Sequence, residues 1–117
     1  MIIKIKNLRF KTFLGIHQWE KHIEREIIIN AVIETDHNLA MQSDNIADTI
    51  DYDVIIAKIK NFIENNHCQL IEKMVGEIMN LIMEDQRIKS CQLEIDKMGV
   101  VANVDSFSVV EKREIRN

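Results

Sequence analysis

Proline is absent from the 117 residues. Proline-rich linkers and polyproline ligands are therefore excluded. Glycine occurs only at positions 15, 76 and 99, and none lies in a phosphate-cradling GxGxxG or GxxxxGK[ST] pattern. The longest purely apolar runs are four residues, as in Val54-Ile55-Ile56-Ala57, whereas a membrane helix needs roughly 18 or more. Basic residues are too few and too scattered for a nucleic-acid stripe: the net charge is −4, against the cationic surface a phosphate backbone selects. The two cysteines, Cys68 and Cys91, are far apart and form no CxxC. Each occupies a position suited to a small apolar residue, and this usage predicts a reducing, cytoplasmic setting. The opening residues Met1-Ile2-Ile3-Lys4-Ile5-Lys6 lack a signal peptide's long apolar core.

What is present is an ordinary soluble balance of 46% hydrophobic and 29% charged residues, unlike a disordered chain. No repeat or low-complexity tract divides it, so residues 1–117 read as a single domain. Ile3 and Ile5 alternate with lysines, then Leu8, Phe10, Thr12 and Leu14 alternate with Arg9 and Lys11. The phase slips by one near Lys6-Asn7, which predicts a bulge in a first strand. Ile27, Ile29, Ala31 and Ile33 share one face of a second strand, opposite Glu26, Asn30 and Glu34.

An irregular acidic stretch from Asp36 to Tyr52 follows, long enough to suggest function. Apolar stripes then predict helices over residues 53–65, with Asp53 as N-cap, and 69–85. Strand alternation returns at Cys91, Leu93 and Ile95, and again at Phe107 and Val109. The order strand-strand-helix-helix-strand-strand predicts an α+β fold with a four-stranded antiparallel sheet. Two helices cover one sheet face only, and the other carries Glu26, Asn30, Glu34, Gln92, Glu94, Asp96, Ser106 and Ser108. A ring of subunits with a watery interior would use that polar face and the open edges. A monomer with one wet face is the simpler alternative.

The four histidines, His17, His22, His37 and His67, show no HxH, HExxH or paired Cys/His spacing. No zinc set is expected, and no metal or cofactor is assigned. Glu72 near a helix start is either a surface acid favoured by the helix dipole or a bidentate acceptor facing a pocket. Lys97 at a strand end is either an edge-guarding lysine or a proton-transfer group. Tyr52 is a proton carrier or an amphipathic packing residue. Glu20, beside Trp19, is a pocket acid or simple loop charge.

Taken in order, several segments carry a family resemblance. They are Ile5-Lys6-Asn7-Leu8-Arg9, Thr12-Phe13-Leu14-Gly15-Ile16, Trp19-Glu20, the run from Ser43-Asp44-Asn45 through Asp51-Tyr52, Leu70-Ile71-Glu72-Lys73 and Ile95-Asp96-Lys97. Over roughly residues 2–110 the chain resembles the dihydroneopterin aldolase family, which includes dihydroneopterin triphosphate 2′-epimerase.

The resemblance implies a tunnelling fold in which subunits close their sheets into a barrel. Two four-subunit rings stack into an octamer, with sites between neighbours. It implies a retro-aldol cleavage of a dihydropterin side chain that needs neither a metal nor a Schiff-base lysine. It implies Lys97, Tyr52 (from a neighbouring subunit) and Glu20 as catalytic residues, and Glu72, Ile71 and Asp51 as substrate-binding residues. The partners implied are a small pterin and further copies of the chain, with no nucleic acid and no membrane.

The pattern departs from the aldolases at Met98, where many have proline. Ile95-Asp96-Lys97 and Ile5-Lys6-Asn7-Leu8-Arg9 look closer to the epimerase, whereas Trp19-Glu20 leans toward the aldolases. A glutamine common in both groups near position 25 is here Arg25. Aldolase is the preferred reading, with epimerase the alternative and a non-enzymatic pterin-binding or assembly module a third.

Overall fold

The computed structural model describes residues 1–36, 39–99 and 102–115, with the side chains of residues 20 and 21 outside that description. His37 thus lies outside the described residues. Strand β1 (Ile2–Phe13) leads through a 3₁₀ turn (Gln18–His22) into β2 (Glu24–Thr35). A short helix α1 (Ala40–Ser43) and a second 3₁₀ turn (Ile46–Asp48) occupy the acidic stretch. Helices α2 (Tyr52–Asn65) and α3 (Ile71–Ile82) follow, then β3 (Ile88–Met98) and β4 (Ser106–Glu114). The four strands pair antiparallel in the order β1-β2-β3-β4, as the alternation predicts.

The phase slip in β1 is a bulge. Register shifts between Ile5 and Leu8, and Asn7 adopts a left-handed φ of 55°, a conformation asparagine tolerates better than most residues. The Asn7 N–H donates to Asn30 Oδ1 at 2.8 Å, so the disrupted ladder still satisfies its backbone donor. The bulge returns Leu8, Phe10 and Thr12 to the same face as Ile3 and Ile5. Without it the second half of β1 would turn its apolar residues away from the helices.

That face is the core. Ile27, Ile29, Ala31 and Ile33 of β2 and Cys91, Leu93 and Ile95 of β3 are essentially inaccessible. They meet Ile55, Ile59 and Ile63 of α2 and Ile71, Met74, Val75, Ile78, Met79 and Ile82 of α3. Each fully buried isoleucine contributes roughly 1.5–3 kcal/mol of transfer free energy. Both thiols are buried, and burial pushes Cys91 up to about 11, consistent with packing roles.

Two helix boundaries differ from expectation. Asp51, not Asp53, is the N-cap of α2: its carboxylate accepts the Asp53 N–H at 3.0 Å. Either aspartate could cap, and the extended backbone at Asp51 decides. Helix α3 covers 71–82 rather than 69–85, because Leu70 is extended and Met83 leaves helical geometry. Its six buried residues include Met79, while Leu81 is only half-buried.

Candidate active site

Antiparallel pairing brings the end of β1, the start of β2, the end of β3 and the start of β4 to one end of the sheet. The start of α3 lies there too, tied by the bridge between Leu14 and Cys68. A cleft of about 440 Å³ opens at this end. Its lining includes Trp19, Leu70, Ile71, Glu72, Lys97 and Phe107. The volume suits a small bicyclic ligand, and apolar walls with few polar groups are typical of such sites.

Glu72 lies in the first turn of α3, where the helix dipole favours its negative charge. It is exposed and lines the cleft. Among the described residues, none hydrogen-bonds its carboxylate, which leaves its oxygens available as acceptors. Lys97 continues the core face of β3 beyond Ile95, paired with Ile27 on one side and Phe107 on the other. Only 8% of it is exposed. The edge-guarding reading of Lys97 therefore fails: β3 is an inner strand, and the lysine is buried beside the cleft it lines.

Ile71, the first residue of α3, forms part of the cleft wall. Trp19, 53% exposed, stands on the 3₁₀ turn with the His17 ring stacked on it at 5.7 Å and 5° between planes. Glu20 lies on the same turn, but its side chain is outside the described residues. Arg25 places its guanidinium 5.8 Å from the centre of the Trp19 ring and donates from Nη1 to the Gly99 carbonyl at 2.7 Å.

Asp51 and Tyr52 are elsewhere. Arg87, one residue before β3, donates to the carbonyls of Thr49 at 2.7 Å and Ala47 at 3.4 Å. The start of α2 is thereby held near the beginning of β3, whereas Lys97 is near its end. Ten strand residues span about 30 Å. Tyr52, 57% exposed, and Asp51, half-buried as the cap of α2, thus stand toward the opposite end of the sheet from Glu72 and Lys97.

Sequence reasoning had not assigned His17, Leu70 and Phe107 to this site. Phe107 follows from register with Lys97 once the strands are paired, and Leu70 adjoins Ile71-Glu72. His17 had been weighed only as a metal ligand; its spacing of two from Trp19 was the available signal. Among the described residues, no group of three His, Cys, Asp or Glu side chains is gathered as metal ligands. Nor is any helix among them long and apolar enough to cross a membrane.

Residues 3–111 match the family model described as FolB, dihydroneopterin aldolase. The chain is 33% identical over 108 residues to dihydroneopterin triphosphate 2′-epimerase of Escherichia coli K12, covering 92% of this chain and 90% of that protein. It is 25% identical over 112 residues to dihydroneopterin aldolase of the same strain, covering 96% and 92%. The crystal structure of E. coli dihydroneopterin aldolase in complex with neopterin superposes with a TM-score of 0.90 at 25% identity, covering 97% of this chain and 98% of that one. A cleft with a carboxylate and a lysine at one end of a ββααββ sheet therefore has its setting: the chain belongs to the dihydroneopterin aldolase family.

Proposed function

We propose that the protein is a cytoplasmic enzyme that breaks the C1′–C2′ bond of 7,8-dihydroneopterin, releasing 6-hydroxymethyl-7,8-dihydropterin and glycolaldehyde on the route to folate. The observation that carries this reading is the convergence of Glu72 and Lys97 on one cleft in a chain of this family.

The chemistry follows from the substrate. As the bond breaks, the 2′-hydroxyl loses its proton and C2′ becomes the aldehyde carbon. The bonding pair moves into a C1′=C6 double bond, and N5 of the ring imine gains the electron density and a proton. Protonation at C1′, with loss of the N5 proton, then restores the imine and leaves a hydroxymethyl group. The ring is the electron sink, so the protein's tasks are orientation and proton transfer. Glu72 accepts hydrogen bonds from N3–H and the 2-amino group, a fork that a carboxylate matches. Lys97 moves protons to and from the side chain through water. Ile71 packs against the ring, and Glu20 orients the reacting hydroxyls.

Tyr52 and Asp51 reach this cleft only from a second copy, because about 30 Å of strand separates them from it in their own chain. The proposed assembly is an octamer of two stacked four-subunit rings, with Tyr52 of one copy protonating the enol-like intermediate held by its neighbour.

A second reading is the 2′-epimerase. The higher identity to the E. coli epimerase, 33% against 25% for the aldolase, favours it. The same cleavage occurs, but the aldehyde fragment, which carries the triphosphate, turns and rejoins before C1′ is protonated. Incubation with 7,8-dihydroneopterin and with its triphosphate, followed by separation of the pterins, tests both. Hydroxymethyl product from the free pterin supports the aldolase; an epimer from the triphosphate supports the epimerase. Binding without either product would leave a pterin-binding module. Chelator is expected to leave the rate unchanged, and borohydride is expected to trap no pterin on Lys97.

A further inference from the structure

Arg25 lies just outside the cleft, yet it touches both segments that flank the cleft's mouth. Its guanidinium lies 5.8 Å from the centre of the Trp19 ring, within reach of a cation–π contact. Its Nη1 donates at 2.7 Å to the carbonyl of Gly99, two residues past Lys97. Gly99 has a left-handed φ of 67°, and a Cβ there would stand 3.4 Å from that same nitrogen. The turn that leaves β3 is therefore fitted closely against the guanidinium. The Arg25 Nε is buried without a hydrogen-bond partner, so this side chain is not arranged to satisfy all its donors. A planar fork is the group able to lie along an aromatic ring and reach a carbonyl at once.

From this contact set we propose that Arg25 is a positioning residue, a clamp that holds the Trp19 turn against the end of β3 and so sets where Lys97 stands in the cleft. Its catalytic consequence rests on the pterin reading given above. Glu72 stands on α3, which the clamp does not touch. Loosening the clamp should therefore disturb proton transfer more than ring binding.

The chain has one tryptophan, so fluorescence excited at the red edge of the absorption band, where tyrosine does not absorb, reports Trp19 alone. The test compares wild type, Arg25→Ala and Arg25→Lys by acrylamide quenching, by neopterin affinity and by steady-state turnover of 7,8-dihydroneopterin. Circular dichroism and sedimentation monitor fold and assembly. In Arg25→Ala, quenching should rise about twofold as the ring loses its guanidinium neighbour. Its kcat should fall about tenfold, within the cost of misplacing a reacting group by less than 1 Å. The neopterin Kd should change by less than about threefold, because the ring anchor is untouched. Arg25→Lys keeps the charge but not the fork, and should resemble the alanine variant.

Unchanged quenching in Arg25→Ala would overturn the clamp whatever the rate does. Wild-type behaviour of Arg25→Lys would also overturn it, since charge alone would then suffice. An unchanged kcat with altered quenching would remove the link to Lys97. If wild type neither binds neopterin nor turns over either pterin, the reading of the cleft fails instead, and the quenching comparison still decides the clamp.

Discussion

The two ends of the sheet are built differently. At one end, β3 delivers Lys97 from the core face into a cleft walled by Trp19, Ile71 and Phe107, with Glu72 at the start of α3. At the other end, Arg87 is held in a fork by Asp85 and donates to the Thr49 and Ala47 carbonyls. That bracing fixes the segment leading to Asp51 and Tyr52, which remain at the surface. One end has a cleft lined by a carboxylate and a lysine; the other presents an exposed tyrosine away from that cleft. A fold of this length cannot bend one end onto the other, so a complete site of the proposed kind requires two copies placed head to tail.

The largest expected effect breaks the cleft end alone. Lys97→Ala should depress turnover about 10²–10⁴-fold, the usual contribution of a general acid–base group, with neopterin affinity nearly retained. Equal turnover in that variant would remove Lys97 from the chemistry. Glu72→Gln should act on binding instead. Replacing a charge-assisted acceptor costs roughly 1.5–3 kcal/mol, about a ten- to hundredfold rise in Kd by calorimetry with neopterin. Unchanged affinity in an intact assembly would make Glu72 a helix-start acid only.

Mixing experiments join the two ends. Lys97→Ala and Tyr52→Phe should each be nearly inactive as pure proteins. Unfolded and refolded together in equal amounts, they should regain activity in about a quarter of the sites, as random head-to-tail pairing dictates. No recovery, with mixed assemblies demonstrated by mass spectrometry, would show that Tyr52 does not complete a neighbour's cleft. Sedimentation giving only a 13.7 kDa species at micromolar concentration would contradict the shared site outright.

The smallest effect concerns the far end. Arg87 hydrogen-bonded to Asp85 holds that carboxyl below its ordinary range. A depressed folded-state value stabilises the protein above the unfolded value near 3.8 and is lost as pH falls through the folded one. The pair is partly exposed, so its worth is screened to no more than about 1 kcal/mol. Asp85→Asn should therefore lower Tm slightly at pH 7, and the difference from wild type should vanish in acid. A difference that persists at pH 2 would mean the carboxylate's charge is not what braces Arg87.

Much of this architecture was legible in the residues themselves. Period-two alternation marked all four strands, the slip at Lys6-Asn7 marked the bulge, and two apolar stripes marked α2 and α3. Each is a local pattern, dictated by which side chains must face one core. The order of family segments likewise pointed to the dihydroneopterin aldolase family. Other features depended on pairing. Whether Asp51 or Asp53 caps α2 turns on one residue's backbone, and residue type does not distinguish them.

Lys97 looked like a candidate edge lysine until strand order put β3 between β2 and β4. Phe107 and Arg25 acquired a relation to the cleft only when register set Phe107 beside Lys97 and folding set Arg25 between Trp19 and Gly99. Sequence alone determined the elements, because periodicity is a property of a few neighbouring positions. Tertiary structure decided which groups share a cavity and which stand at opposite ends of the sheet, because those placements arise from contacts between residues remote in the chain.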